Sequence, residues 1–351
     1  MSSATRRTAH ADLATSLALL SDRELADLVE SAVPLGVGIG GRSAVVEVEG
    51  RRVFVKRVPL TDVELAPENA QSTGNFFGLP PSCHYGTGRS PSFSAWRELA
   101  VHTMTTNWVL ADRFPGFPLM HHWRVLPDSV QPLPEELADV ERVVGHWSGS
   151  RQVRERLEAL RKASASLTLF LEYFPHTLHD WLDTQVRTAE SDRVCTRVDE
   201  WLGTLSAFLH DHELAHFDAH FQNVLTDGED FYLTDHGLAL SSRFRLTRQE
   251  RAFFDRHRDY DLVYSRAHLV NWLVTALYRY DRQEREAFVR ACAIGAHTDG
   301  IPGTAAAIIA RDAPLTAVLN GFFDRLRKDN SLTPYPYEEL RLAYNSSTPS
   351  A

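Results

Sequence analysis

The stretch from Leu209 to Leu240, LHDHELAHFDAHFQNVLTDGEDFYLTDHGLAL, constrains this chain more than any other. Asp218 is followed five positions later by Asn223 and, twelve positions further on, by Asp235, which precedes His236 and Gly237. The intervening residues read as strand, turn and strand: Asn223-Val-Leu, Asp227-Gly228, then Phe231-Tyr-Leu-Thr. Strand-like patterns dominate before this stretch and helical periods after it.

Residues 1–9 are polar and expected to be loose. Helical spacing over 12–32 (Leu13, Leu17, Leu20, Leu25, Leu28, Val29), with Ser21 and Glu24 at capping-box distance, predicts two short helices. The period then changes to two. Residues 44–48 and 52–56 read as a hairpin around Gly50, preceded by Gly36, Gly38, Gly40 and Gly41. Residues 59–94 are rich in Pro, Gly and Ser and read as an irregular insertion. A helix is expected over 94–112, a strand within 117–126, and a charged helical insertion over 135–163. The Arg151–Lys162 face of that insertion is expected to be solvated. The apolar run Leu167–Tyr173 predicts a buried strand. Helical segments follow at 196–212, 261–281, 283–295 and 304–328. These readings give an α+β chain of two lobes: an N-terminal helical extension (1–32), a strand-rich lobe (33–174) carrying both insertions, a helical lobe (175–344) and a disordered tail (345–351).

The 351 residues suffice for a sizeable core. Asp and Glu outnumber Lys and Arg by 46 to 37, a net charge of −9, which argues against nucleic-acid and anionic-membrane partners. Cys83, Cys195 and Cys292 are scattered, so neither a disulfide framework nor a structural zinc site is expected. The apolar stretch Leu13–Leu20 is too short to span a bilayer and no cleavage pattern follows it. A soluble, cytoplasmic protein is the expectation.

Two carboxylates and a carboxamide suit one chemistry well. Moving a phosphoryl group to a hydroxyl needs one carboxylate to orient the hydroxyl proton. It also needs a carboxylate and an amide oxygen to hold Mg²⁺ on the phosphates. His216-Phe-Asp218, Asn223 and Asp235-His-Gly237, with Leu209-His210 ahead of them, resemble the catalytic loop and metal-binding motif of the protein kinase-like superfamily, H-R-D-L-x-x-x-N then D-F-G. The resemblance covers about residues 34–280. It implies a two-lobed kinase-like fold, ATP and Mg²⁺ as cofactors and a hydroxyl-bearing acceptor, protein or small molecule. It also implies Asp218 as catalytic base, Asn223 and Asp235 as metal ligands and His216 as a brace.

The same resemblance assigns the earlier residues. Lys56, ending Val53-Phe-Val-Lys56, is similar to the family's phosphate-neutralising lysine, with Glu98 as its helix partner. The glycines fit G-x-G-x-x-G in two registers: Gly36-x-Gly38-x-x-Gly41, or Gly38-x-Gly40-x-x-Ser43-x-Val45, the second being preferred. Gly38, Gly40, Gly41, Ser43 and Val45 are thus expected at the nucleotide. Leu169-Phe-Leu-Glu-Tyr-Phe174 resembles the adenine-holding strand and hinge, with Leu171 as gatekeeper and the Glu172 and Phe174 backbones facing the base. Asp261 is expected to brace the catalytic loop. The pattern departs from protein kinases at Phe217 (usually Arg), at His236 (usually Phe) and in lacking A-P-E. His220 is similar instead to the loop of aminoglycoside- and choline-kinase-type enzymes. Two alternatives stand beside this reading. One is a pseudokinase that binds nucleotide without turnover. The other is a metallohydrolase using His210, His212, His216, Asp218 and His220.

Overall fold

The computed structural model describes residues 3–87, 89–328 and 333–347. The fold is mixed α+β. The chain divides into two compact units, Met1–Pro175 with Tyr232–Ala252, and His176–Phe231 with Phe253–Ala351.

The first unit opens with α1 (Ser3–Ala18) and α2 (Asp22–Glu30), the latter started by the expected Ser21–Glu24 capping box. A meander follows, β1 (Val33–Gly38), β2 (Gly41–Val48) and β3 (Arg51–Leu60). After a helical turn, α3 (Asp62–Leu65), come α4 (Ala95–Leu110), β4 (Met120–Pro127), three short helices α5 (Glu135–Ala138), α6 (Val140–His146) and α7 (Arg151–Leu160), and β5 (Ala165–Glu172). The sheet runs β1-β2-β3-β5-β4 with every neighbour antiparallel, so the apolar β5 has a strand on each side.

Strand alternation sorts its residues onto two faces. Val53 and Val55 of β3 and Phe170 of β5 pack with Leu13 and Leu17 of α1 and Leu25 and Val29 of α2. Val58, Leu60, Leu167, Leu169 and Leu171 pack with Trp96 and Leu99 of α4. Lys56 shares the parity of Phe54 and Val58 and therefore emerges on the α4 side.

The second unit contains β6 (His176–Thr177), α8 (Leu178–Gln185), α9 (Ser191–Asp211), β7 (Leu214–Ala215) and β8 (Val224–Thr226). β9 (Phe231–Leu233), β10 (Leu240–Ser241) and α10 (Arg248–Arg256) carry the chain through the 232–252 stretch of the first unit. The second unit then resumes with α11 (Tyr260–Tyr278), α12 (Arg282–Ala293), α13 (Gly303–Lys328) and α14 (Tyr337–Ser347). α13 packs on α9, α11, α12 and α14. Asn271 of α11 and Asn320 of α13 exchange side-chain amide hydrogen bonds of 2.8 and 3.0 Å. No described helix is long and apolar enough to cross a membrane.

Four expectations need correction. Residues 3–9 are helical, because Arg6 of α1 is buried and bonded to residues far along the chain. The unit boundary falls at Pro175, one residue past the expected edge, but Asp235 and its neighbours belong to the first unit and not to the helical one. Residues 345–347 extend α14, while 348–351 of the expected disordered tail lie outside the described residues. Lastly, the charged insertion is not solvated throughout. Arg151 and Arg154 pair with Glu155 and Glu141 at the surface, as expected. Arg156, however, is fully buried and donates to Glu64 at 2.7 Å and to the Ser92 carbonyl at 3.0 Å.

Glu64 also accepts from the Thr61 and Ala95 amides, each at 3.0 Å. Burial would push its carboxyl up, but Arg156 and these donors outweigh burial and hold it below the ordinary range. The pair ties the 59–94 insertion to α7. Glu64→Ala leaves the Arg156 charge buried and is expected to destabilise the protein by about 3–5 kcal/mol, measured by urea unfolding. A loss of no more than ~1 kcal/mol, the scale of a surface pair, would show that water replaces the carboxylate.

Candidate functional site

In the first unit the expected lysine, glutamate and aspartate meet. Lys56 Nζ lies 2.7 Å from Glu98 Oε1 and 2.7 Å from Asp235 Oδ1. The last contact joins residues 179 positions apart. Glu98 is buried on the first turn of α4, whereas the Asp235 side chain is 40% exposed. Burial alone would lower the Lys56 pKa; the two carboxylates outweigh it and hold the ammonium above the ordinary lysine range. Burial and the neighbouring Asp235 charge push Glu98 up against the opposing pull of Lys56. One cation is thus shared by two acids.

The glycine tip covers this cluster. Gly38 pairs with Gly41 across a turn formed by Ile39 and Gly40. That places the tip between the second and third glycines of the Gly36-x-Gly38-x-x-Gly41 register, and not in the register preferred from sequence. Ser43 and Val45 lie back within β2, opposite Lys56 and Phe54. A Cβ on Gly40 would stand 3.0 Å from Lys56 Nζ and 3.7 Å from Asp235 Oδ1. At Gly41, with φ +125°, a Cβ would meet the Arg57 carbonyl oxygen at 2.2 Å, so glycine alone fits. Gly237 completes the lining, 3.5 Å from both the Asp235 and Glu98 carboxylates by the same measure.

β5 ends at the residues expected as gatekeeper and hinge. Leu171 is buried in the apolar face against α4. The Glu172 amide donates to the Leu119 carbonyl at 2.8 Å. The Phe174 ring stacks on Tyr232 with centroids 3.9 Å apart.

The second unit assembles the other group. Asp261, at the start of α11, accepts the amides of His216 at 2.6 Å and Phe217 at 3.0 Å. Phe217 takes a left-handed φ of 66° and is buried against Phe253, His257 and Tyr260. The Asp218 amide donates to His216 Nδ1 at 3.3 Å. Asn223 Nδ2 donates to the Asp218 carbonyl at 3.0 Å and to its carboxylate at 3.2 Å, so the side-chain oxygen of Asn223 is the atom that could serve as a ligand. His220 Nε2 lies 3.7 Å from Asp218 Oδ1. His268, on α11, accepts the Phe221 amide at 3.2 Å; burial lowers its pKa to about 3, so the ring stays neutral.

The alternative five-residue metal site does not form. His210 pairs with Asp259 at 3.2 Å, and His212 turns to the Phe208 carbonyl at 2.9 Å. Among the described residues no three His, Cys, Asp or Glu side chains are grouped to hold a metal ion.

Several contacts at the site had no sequence signal. Arg97, next to Glu98, is buried and donates to Glu250 at 2.7 Å and to the Thr73 carbonyl at 2.8 Å. His84 Nδ1 donates to the Leu238 carbonyl at 2.7 Å, and the Arg245 amide to Thr73 Oγ1 at 2.9 Å. The segment after Gly237 is therefore fastened to the 59–94 insertion. His236 is buried against His102, one turn beyond Glu98, with ring centroids 4.5 Å apart.

No known family model matches the chain, and no curated protein matches it either.

Burial raises the Asp261 pKa to about 6 despite the two amides it accepts. The folded protein thus holds this proton more tightly than the unfolded chain, whose ordinary carboxylate value is about 3.9. Its contribution to stability is complete below about pH 4 and is lost as pH rises through about 6. Asp261→Asn is expected to flatten the stability curve in that window. Urea titrations at several pH values that return the wild-type slope would assign the proton elsewhere.

Proposed function

We propose that this chain is an ATP- and Mg²⁺-dependent phosphotransferase with a two-lobed, protein-kinase-like fold, moving the ATP γ-phosphate to a hydroxyl acceptor. The observation that carries the reading is the Lys56 ammonium held by Glu98 and Asp235 beneath the Gly40 tip. The three side chains come from β3, α4 and the turn after β9, yet they meet within hydrogen-bonding distance. An ion triad with its lysine and glutamate buried, roofed by a glycine turn, has a direct use. Backbone amides free of Cβ obstruction and a fixed cation are what a polyphosphate needs.

Each residue has a definite task in this reading. Lys56, oriented by Glu98, neutralises phosphate oxygens of the nucleotide. The tip from Gly38 to Gly41 covers them. Asp235 and the side-chain oxygen of Asn223 are hard oxygen donors of the kind Mg²⁺ prefers. Bound there, the metal would offset charge on the phosphates. Asp218 accepts or orients the acceptor hydroxyl proton. Asp261 keeps Asp218 in place by fixing the two amides that precede it. His216 does the same from its own ring, by accepting the Asp218 amide.

Asp218→Asn is expected to leave nucleotide affinity within about twofold while turnover falls by about 10²-fold or more, the scale of lost acid–base assistance. The assay is transfer of label from γ-labelled ATP in the presence of cell metabolites, with calorimetry for affinity. Wild-type turnover in Asp218→Asn would remove that residue from the chemistry. Affinity for ATP in the wild type without label transfer to protein, metabolite or water would leave a nucleotide-binding module instead. Asp235→Ala is expected to abolish the Mg²⁺ dependence of nucleotide binding. If calorimetry with and without Mg²⁺ shows the dependence intact, Asp235 is not the metal ligand.

A further inference from the structure

We propose that Arg6, in the N-terminal helix, is a positioning residue for the nucleotide base, a role that rests on the phosphotransferase reading above. Arg6 lies on α1, well outside the segment that carries the kinase-like motifs, and only 3% of it is exposed. Its Nε donates to Glu172 Oε1 at 2.9 Å and its Nη2 to Glu172 Oε2 at 2.7 Å, a two-pronged grip on one carboxylate. Nη1 donates to the Pro115 carbonyl at 2.9 Å, and Nη2 to the Phe117 carbonyl at 2.7 Å. The guanidinium carbon also stands 4.7 Å from the Tyr232 ring centroid and 5.9 Å from that of Phe174.

These contacts converge on the side chains that flank one short piece of backbone. Glu172 closes β5, and Phe174 follows two residues later, stacked on Tyr232. Glu172 Oε2 accepts the Leu119 amide at 3.1 Å as well. Arg6 thus fixes the side chains on both sides of Tyr173 and the chain 115–117 beside them. The backbone of 172–174 is where the base would be read. A guanidinium can grip the Glu172 carboxylate with two prongs and serve two carbonyls as well, four bonds in all; an ammonium has only three donors on a single nitrogen. A buried Glu172 carboxylate without Arg6 would be left poorly compensated. Residue 172 and the Phe174 ring would then shift, whereas Lys56, Glu98 and Asp235 form their own cluster without Arg6.

This separation makes the role measurable. Loss of Arg6 should impair selection among bases and spare the attraction for phosphates. A residue that merely stabilises the fold would weaken all nucleotides by one factor. The experiment measures the affinities of Mg-ATP, Mg-GTP, Mg-CTP and Mg-UTP for the full chain and for Arg6→Gln. Wild type is expected to prefer one base over the weakest by about tenfold or more, and Arg6→Gln to bring the four within about threefold of one another, the scale of losing charge-assisted hydrogen bonds. Arg6→Lys is expected to recover part of the selectivity, and it is the variant to read if Arg6→Gln fails to fold by circular dichroism. An equal loss for all four nucleotides, or an unchanged ratio, overturns the role. So does a wild type that binds all four alike, which would leave the phosphotransferase reading standing. A wild type that binds none of them overturns that reading itself.

Discussion

The Lys56 ammonium is the point on which the first unit turns. A lysine on an apolar sheet face is tolerable only if acids meet it there, because burial disfavours the charged form. Two do, from separate elements: Glu98 from α4 and Asp235 from the turn after β9. Register follows from this. β3 must present residue 56 and not 55 toward α4, since a slip of one would exchange the ammonium for a valine and bury the charge against α1 and α2. The glycine tip can close over the cluster because Gly40 carries no side chain where Lys56 Nζ lies. The apolar packing of Val58, Leu169 and Leu171 against Trp96 and Leu99 holds sheet and helix at the distance that the ion pair requires.

Each unit uses a buried charge to hold backbone that would not rest there alone. Asp235 has φ 59° and Phe217 φ 66°, both in the left-handed region that β-carbon-bearing residues avoid. Such conformations cost on the order of 1–2 kcal/mol each and persist where the surroundings over-determine them. At Asp235 the determinant is the bond from Lys56. At Phe217 it is the Asp261 carboxylate, which takes two successive amides, together with the aromatic nest of Phe253, His257 and Tyr260. In each case the strained residue is the candidate functional residue or its immediate neighbour. Asp218 is aimed by the turn at 217, and the Asp235 carboxylate by its own φ.

What was legible in the sequence was what repeats or alternates. β3 announced itself by its alternation, β5 by its continuous apolar run, α4 and the helices of the second unit by helical spacing, and the Lys56, Glu98 and Asp235 group through the resemblance to the protein kinase-like pattern. What escaped were single side chains whose significance depends on distant partners. Arg6 sits in a stretch without apolar period, so residues 1–9 read as loose; its hold on Glu172 is a contact across 166 positions. Arg156 looks like its solvated neighbours Arg151 and Arg154, and nothing local distinguishes the one that meets Glu64. The glycine register was misjudged for a related reason. Each spacing is satisfied by three positions, Gly36, Gly38 and Gly41 or Gly38, Gly40 and Ser43, and only strand pairing reveals that Gly38 faces Gly41.

The segment after Gly237 is fastened by contacts within the first unit. Phe217 stands where the resemblance calls for an arginine able to pair with an activating phosphate. Residues 238–250 have anchors of their own within the first unit. The Leu238 carbonyl accepts from His84, the Arg245 amide donates to Thr73, and Glu250 receives Arg97 from the helix that carries Glu98. Glu250 is the buried carboxylate that balances the buried Arg97 guanidinium. Because Arg97 and Glu98 are neighbours on α4, the same helix grips Lys56 on one side and Glu250 on the other. The insertion at 59–94, which contributes Thr73 and His84, is thereby part of what positions Asp235 and not an appendage to it.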